Sequence, residues 1–216
     1  MNPLAFTALD LRALRPYARP ALLSLAIAAV AIVLPSRSVY GVLTATFFFA
    51  ATIGPQYPFN LDERSHLDTL YATLPLSRRS VVLGRYATMV AVALILAAAS
   101  VLVTLAAAPF LGESPDAGTL GMLTLGGFAA FCLFTAVQLP FFFSLGFSRA
   151  RPFAFIAPLV GLAALFFAFG GRSELTLTAL DRLATWPVLA SAAIGAVLLL
   201  GASAALSIRL YAARDL

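Results

Sequence analysis

Lysine is absent from all 216 residues, cysteine and histidine occur once each, and carboxylates number only nine. Each shortage removes a class of chemistry. A Walker A loop needs a lysine to reach the β- and γ-phosphates, so this chain is not a standard ATPase by itself. Cys132 lies inside an apolar run and offers neither a disulfide framework nor a metal-ligand cluster, which leaves packing as its role. The lone His66 sits in a polar stretch, where a solvated loop residue is expected rather than a sensor. It can complete neither the zinc site of a membrane metalloprotease nor the Ser–His pair of an intramembrane serine protease. No apolar run contains Asp or Glu, which removes the paired carboxylates of an aspartyl protease and the ionisable group at bilayer depth used in the simplest proton-coupled transport. The expectation is a chain that is no enzyme, with no catalytic, cofactor-binding or metal-binding residues, whose driving force comes from elsewhere.

What is present is apolar sequence. Hydrophobic residues make up 62% and charged residues 11%, with charge-free runs at 20–36, 38–61, 86–112, 117–148, 152–171 and 183–208. A helix crossing the hydrocarbon needs about 20 apolar residues, and two crossings with a turn need about 40, so each run supplies one span. The fold class is therefore all-α: a polytopic membrane protein of six transmembrane helices in a single domain, 1–216. The net charge of +5 is spread over short pieces between runs and forms no continuous patch, which argues against a nucleic-acid partner. Arg12, Arg15 and Arg19 before the first run imitate a signal peptide, and Ser36-Arg37-Ser38 resembles a cleavage site. The expectation is that this run is retained as the first membrane helix.

Arginine sets the orientation, because short cytoplasmic loops collect it. Alternate segments hold Arg12, Arg15, Arg19, Arg64, Arg78, Arg79, Arg85, Arg149, Arg151, Arg209 and Arg214 on one side, against Arg37, Arg172 and Arg182 on the other. Both termini are expected in the cytoplasm, and the acidic loop Glu113 to Asp116 outside.

Leu4, Ala8 and Leu11 fall at helical spacing, predicting an interfacial helix within 1–19 along the inner leaflet, ended by Pro16 and Pro20; a frayed tail is the alternative. Gly54, Pro55 and Pro58 should bend or end the second span. The segment 60–80 is the longest polar stretch. Asn60 with Glu63 reads as a capping box, followed by an apolar stripe of Leu67, Leu70, Tyr71 and Leu74, with Arg64, Asp68 and Thr69 on the remainder. Pro75 stops that helix and Ser77 caps the third span. Arg78 and Arg79 would then occupy a first helical turn, where the macrodipole disfavours cations, so lipid phosphates or a partner must compensate. Small residues Gly118, Gly121, Gly126 and Gly127 let the fourth span approach its neighbours closely. Gln138, beside Pro140, is read first as an interhelical hydrogen-bond former and second as a candidate pathway residue. Pro158 bends the fifth span. An external segment at 172–187 has the pattern of a lid helix, with Trp186 as a headgroup anchor.

The stretch Glu63 to Tyr86, ERSHLDTLYATLPLSRRSVVLGRY, resembles the cytoplasmic signature of ABC-2 type permeases, particularly the small six-helix branch of bacterial ABC exporters. Its marks are Glu63, Leu74-Pro75-Leu76-Ser77-Arg78 and the basic–Tyr pair Arg85-Tyr86. The ending Leu206-Ser207-Ile208-Arg209-Leu210-Tyr211, followed by Arg214-Asp215-Leu216, is similar to the family's usual close. The resemblance implies a type V exporter-like permease fold in the bacterial cytoplasmic (inner) membrane. It also implies a partner ABC ATP-binding subunit carrying ATP and Mg, and a second permease copy or homologous permease to enclose the pathway. It assigns ATPase coupling to Leu67, Leu70, Tyr71 and Leu74 as docking face, with Glu63, Arg64, Arg78 and Arg79 as rim; the alternative is a helix lying on the leaflet or on the chain's own surface. Export of an amphipathic peptide, lipid-like molecule or hydrophobic drug follows by analogy. The competing function is a non-transporting scaffold or immunity-type subunit binding a cytoplasmic partner. A passive channel is disfavoured because the spans lack ring-forming charges.

Overall fold

The structure is a computed structural model and describes residues 3–36, 38–65, 67, 77–153, 156 and 185–213. Among these the architecture is helical throughout. Helix α1 (Pro3–Leu14) passes through a 3-10 turn at Arg15–Tyr17 into α2 (Ala18–Ser36). Pro16 lies in that turn and Pro20 in the first turn of α2, positions where a missing amide donor leaves no helical bond unmade. There follow α3 (Gly41–Thr52), α4 (Gln56–Arg64), α5 (Arg78–Leu111), α6 (Ala117–Leu145) and α7 (Trp186–Ala212). The expected fifth span with Pro158, most of the external segment and the tip of the coupling segment lie outside the described residues.

Among the described residues three helices, α5, α6 and α7, are long and apolar enough to cross a membrane. The first charge-free run falls inside α2. The second is not one continuous helix: α3 stops at Thr52 and α4 starts at Gln56, because Pro55 has no amide to continue a ladder that runs as far as Gly54. Twelve residues of α3 rise about 18 Å against a hydrocarbon core of about 30 Å. With 34 residues, α5 spans about 51 Å and is longer than the hydrocarbon is thick.

The packing is inverted relative to a water-soluble bundle. Thr88, Ser100, Thr104, Thr135, Gln138 and Ser207 are buried, whereas Ile95, Leu102, Leu133, Ile194 and Leu198 face outward. Apolar outer faces and polar inner contacts suit helices surrounded by lipid. The short α3 is buried along most of its length between α2, α5 and α6. Close approach depends on glycine at two points on α6. A side chain at Gly127 would overlap the Phe47 ring of α3, and one at Gly121 would meet Trp186 of α7 at 2.5 Å. Of the phenylalanine triplets, Phe47, Phe49, Phe142 and Phe143 enter the core and Phe48 and Phe141 face outward.

Both ends of α5 and the start of α6 are closed by local caps. Ser77 caps α5 by accepting the Ser80 amide, as its position predicts. Gly112 ends α5 in the left-handed region at φ 68°. Asp116 caps α6 through the Thr119 amide at 2.7 Å, and its own amide donates to the Tyr40 hydroxyl at 2.9 Å. Glu113 accepts the Val39 amide at 3.1 Å, so the loops before α3 and after α5 are joined.

Candidate coupling site

At the other end of the bundle three ionic side chains meet. Arg85, in the second turn of α5, donates to Asp10 of α1 at 2.8 Å and to Asp62 of α4. The guanidinium is 1% exposed and lies over the rings of Phe6 and Phe59, at 5.6 and 5.1 Å from their centroids. Gly84 makes this possible. A Cβ there would come within 2.6 Å of Phe6, and its carbonyl accepts the Thr7 hydroxyl at 3.1 Å, drawing α1 against α5. Burial pushes the Asp10 carboxyl above its ordinary range, and the opposing pull of Arg85 and Thr88 leaves it raised. The sequence marks Arg85 as half of a basic–Tyr pair and places Asp10 off the Leu4, Ala8 and Leu11 face; their pairing is a tertiary fact. The inward face of α1 is Phe6, Thr7 and Asp10, while Leu4 and Ala8 face outward.

The expected capping box at Asn60 is not formed. Pro55 occupies the N-cap of α4 and Pro58 is accommodated in the first turn, so the helix is already running when it reaches Asn60. Glu63 instead receives the amide of Ser148 at 3.0 Å and the Ser148 hydroxyl, at the start of a helical segment over residues 147–153. Arg64 and Arg79 are exposed and hold no ion pair among the described residues. Arg78 donates to the carbonyls of Tyr211 and Ala212, each at 3.0 Å, and lies over the Tyr211 ring. Its unfavourable place at the amino end of α5 is offset within the chain by the negative carboxyl end of α7. Leu67 is half-buried against the chain's own core; Leu70, Tyr71 and Leu74 lie outside the described residues. Phe59 stacks on Phe142 at 4.9 Å and meets Phe143 edge-on, and Phe143 meets Tyr211, so α4 seats on the ends of α6 and α7. A cleft of about 490 Å³ opens there, lined by Asp62, Glu63, Arg85, Ser148 and Arg149.

Deeper in the bundle, two prolines leave carbonyls without their helical donors, and neighbouring helices supply replacements. The Ala51 carbonyl would pair with residue 55, a proline; Gln138 Nε2 of α6 donates to it at 3.0 Å. The Ala136 carbonyl would pair with Pro140, and Ser203 Oγ of α7 donates to it at 2.5 Å. Gln138 therefore makes the interhelical bond expected of it; its Oε1 has no partner among the described residues. Ser203 has one hydrogen, committed to Ala136, so Tyr86 donates to Ser203 at 2.7 Å and Ser207 donates to Tyr86 at 2.8 Å. Tyr86 and Ser207 belong to the two separate stretches that carry the family resemblance, and the fold brings them into one hydrogen-bonded row.

No group of three or more His, Cys, Asp or Glu among the described residues is placed to hold a metal. No curated protein and no solved structure matches the chain. A family model described as ABC-2 family transporter protein matches residues 8–212, covering α2 to α7 whole and most of α1. The segment that resembles the permease signature, the helical architecture and this near-complete match agree, and the chain belongs to the ABC-2 family of transporter permeases, membrane components that work with an ABC ATPase subunit.

Proposed function

We propose that the chain is the membrane half of an ATP-driven exporter of amphipathic or hydrophobic substrates: six spans, both termini cytoplasmic, in a bacterial inner membrane. Two permeases, identical or homologous, enclose the route, and ATP and Mg reside on the partner subunits. The segment 60–80 docks on the ATPase. The observation that supports this reading is the Asp62–Arg85 pair. It fastens α4, whose carboxyl end leads into the docking segment, to the start of the longest spanning helix, so a displacement of the segment is delivered to α5.

The test is reconstitution of the permease with its ATPase and measurement of hydrolysis across a panel of hydrophobic compounds and peptides. Stimulation is expected with the wild-type chain and is abolished when Leu70 and Tyr71 are both replaced by Asp. Stimulation that survives the double replacement removes this face from coupling, and a complex that no compound stimulates favours the scaffold reading.

A further inference from the structure

A second cavity, at the carboxyl end of α1 and the turn into α2, has the polarity of a phospholipid. It occupies about 470 Å³, within the roughly 300–1,000 Å³ range of small-molecule sites. One wall is α2, through Ala18, Ala21, Leu22 and Leu25; the facing wall is α5, through Met89, Val92, Ile95 and Leu96. Both sets follow helical spacing, so the cleft runs along the helix axes for about 10 Å. Cations lie at one end only. Arg12 and Arg15 stand at the α1–α2 turn, with Tyr17 and Tyr57 beside them, their rings 6.4 Å apart, and no acid lines the cavity. Both arginines are exposed and hold no ion pair among the described residues. Leu22 and Ile95 are more than half exposed, so the cleft is open sideways to the bilayer.

We infer that this cleft is a resident site for an anionic phospholipid of the cytoplasmic leaflet, with its phosphate between Arg12 and Arg15 and an acyl chain between α2 and α5. Charge complementarity selects this occupant: the cationic end sits at the leaflet surface, where anionic headgroups are concentrated, and the apolar groove points into the hydrocarbon. A second copy of this chain would bring its own arginine-rich cytoplasmic end against these two. The inference rests on the membrane orientation and not on coupling to an ATPase.

The test is native mass spectrometry of the full chain titrated in detergent with phosphatidylglycerol or phosphatidylcholine. The wild type is expected to retain phosphatidylglycerol preferentially, and Arg12→Gln with Arg15→Gln to lower that retention roughly tenfold. Arg12→Lys with Arg15→Lys should restore it. Ala21→Phe, which fills the groove and leaves both charges, should lose it while the chain remains monodisperse with unchanged helical circular dichroism. Equal retention of the two lipids by the wild type, or undiminished phosphatidylglycerol retention by the Gln pair, overturns the proposal. So does a crosslink between cysteines placed at Leu22 in two copies, accompanied by no bound lipid.

Discussion

Arg85 is where three helices from distant parts of the chain converge, and its removal takes from Asp10 and Asp62 the guanidinium that they share. Breaking a buried ion group in this way costs about 3–5 kcal/mol, so Arg85→Met is expected to lower the thermal midpoint of the purified protein markedly, and adding Asp10→Asn and Asp62→Asn to recover much of the loss. The pH dependence of the same cluster has a definite sign. Burial raises Asp10, so the folded chain holds its proton to higher pH than the unfolded chain does, and the Asp10 contribution to stability declines as pH rises through the folded value. Asp116 behaves oppositely. The Thr119 amide and hydroxyl hold it below its ordinary value, so its contribution is present above about pH 4 and fades as pH falls through the depressed value. Thermal midpoints measured from about pH 2 to 8 should show Asp10→Asn removing a component that favours low pH and Asp116→Asn removing one that favours high pH, the latter seen only below about pH 4.

Among the elements, the break between α3 and α4 is the most informative. Gly54 and Pro55 announce it in the sequence, and Gln138 announces itself as a polar side chain in an apolar run, yet Ala51 and Gln138 are 87 positions apart and nothing local pairs them. Gln138→Leu strands the Ala51 carbonyl at an expected cost of about 1–3 kcal/mol in thermal or denaturant unfolding. Pro55→Ala restores an amide within reach of that carbonyl, so the double variant should be less destabilised than Gln138→Leu alone. Caps at Ser77 and Asp116 depend on residue type at a helix start, and α5 obeys its cap as read. Asn60 misleads because Pro55 and Pro58 look like terminators from outside and are tolerated in a first turn. The face that α1 turns inward was also hidden. In a bilayer both a leucine face and an Asp–Thr face have acceptable surroundings, so periodicity alone does not choose between them.

For the whole molecule, composition and charge placement made the membrane class and helical content legible. The meeting of the N-terminal helix with α4 and α5 required the fold, because sequence separation conceals it. The arginine distribution yields a test independent of the transport reading. In a Cys132→Ala background, Ser114→Cys should react with an impermeant maleimide from the external face of intact cells, and Ala213→Cys only after the membrane is opened. Reversal of that pattern would invert the topology. The hydrogen bonds at Ala51 and Ala136 also carry a mechanical consequence. Each carbonyl is completed by a different helix, and exposing it to hydrocarbon costs several kcal/mol. Helices α3, α6 and α7 are therefore expected to move together, with any rearrangement of the bundle pivoting around that block instead of through it.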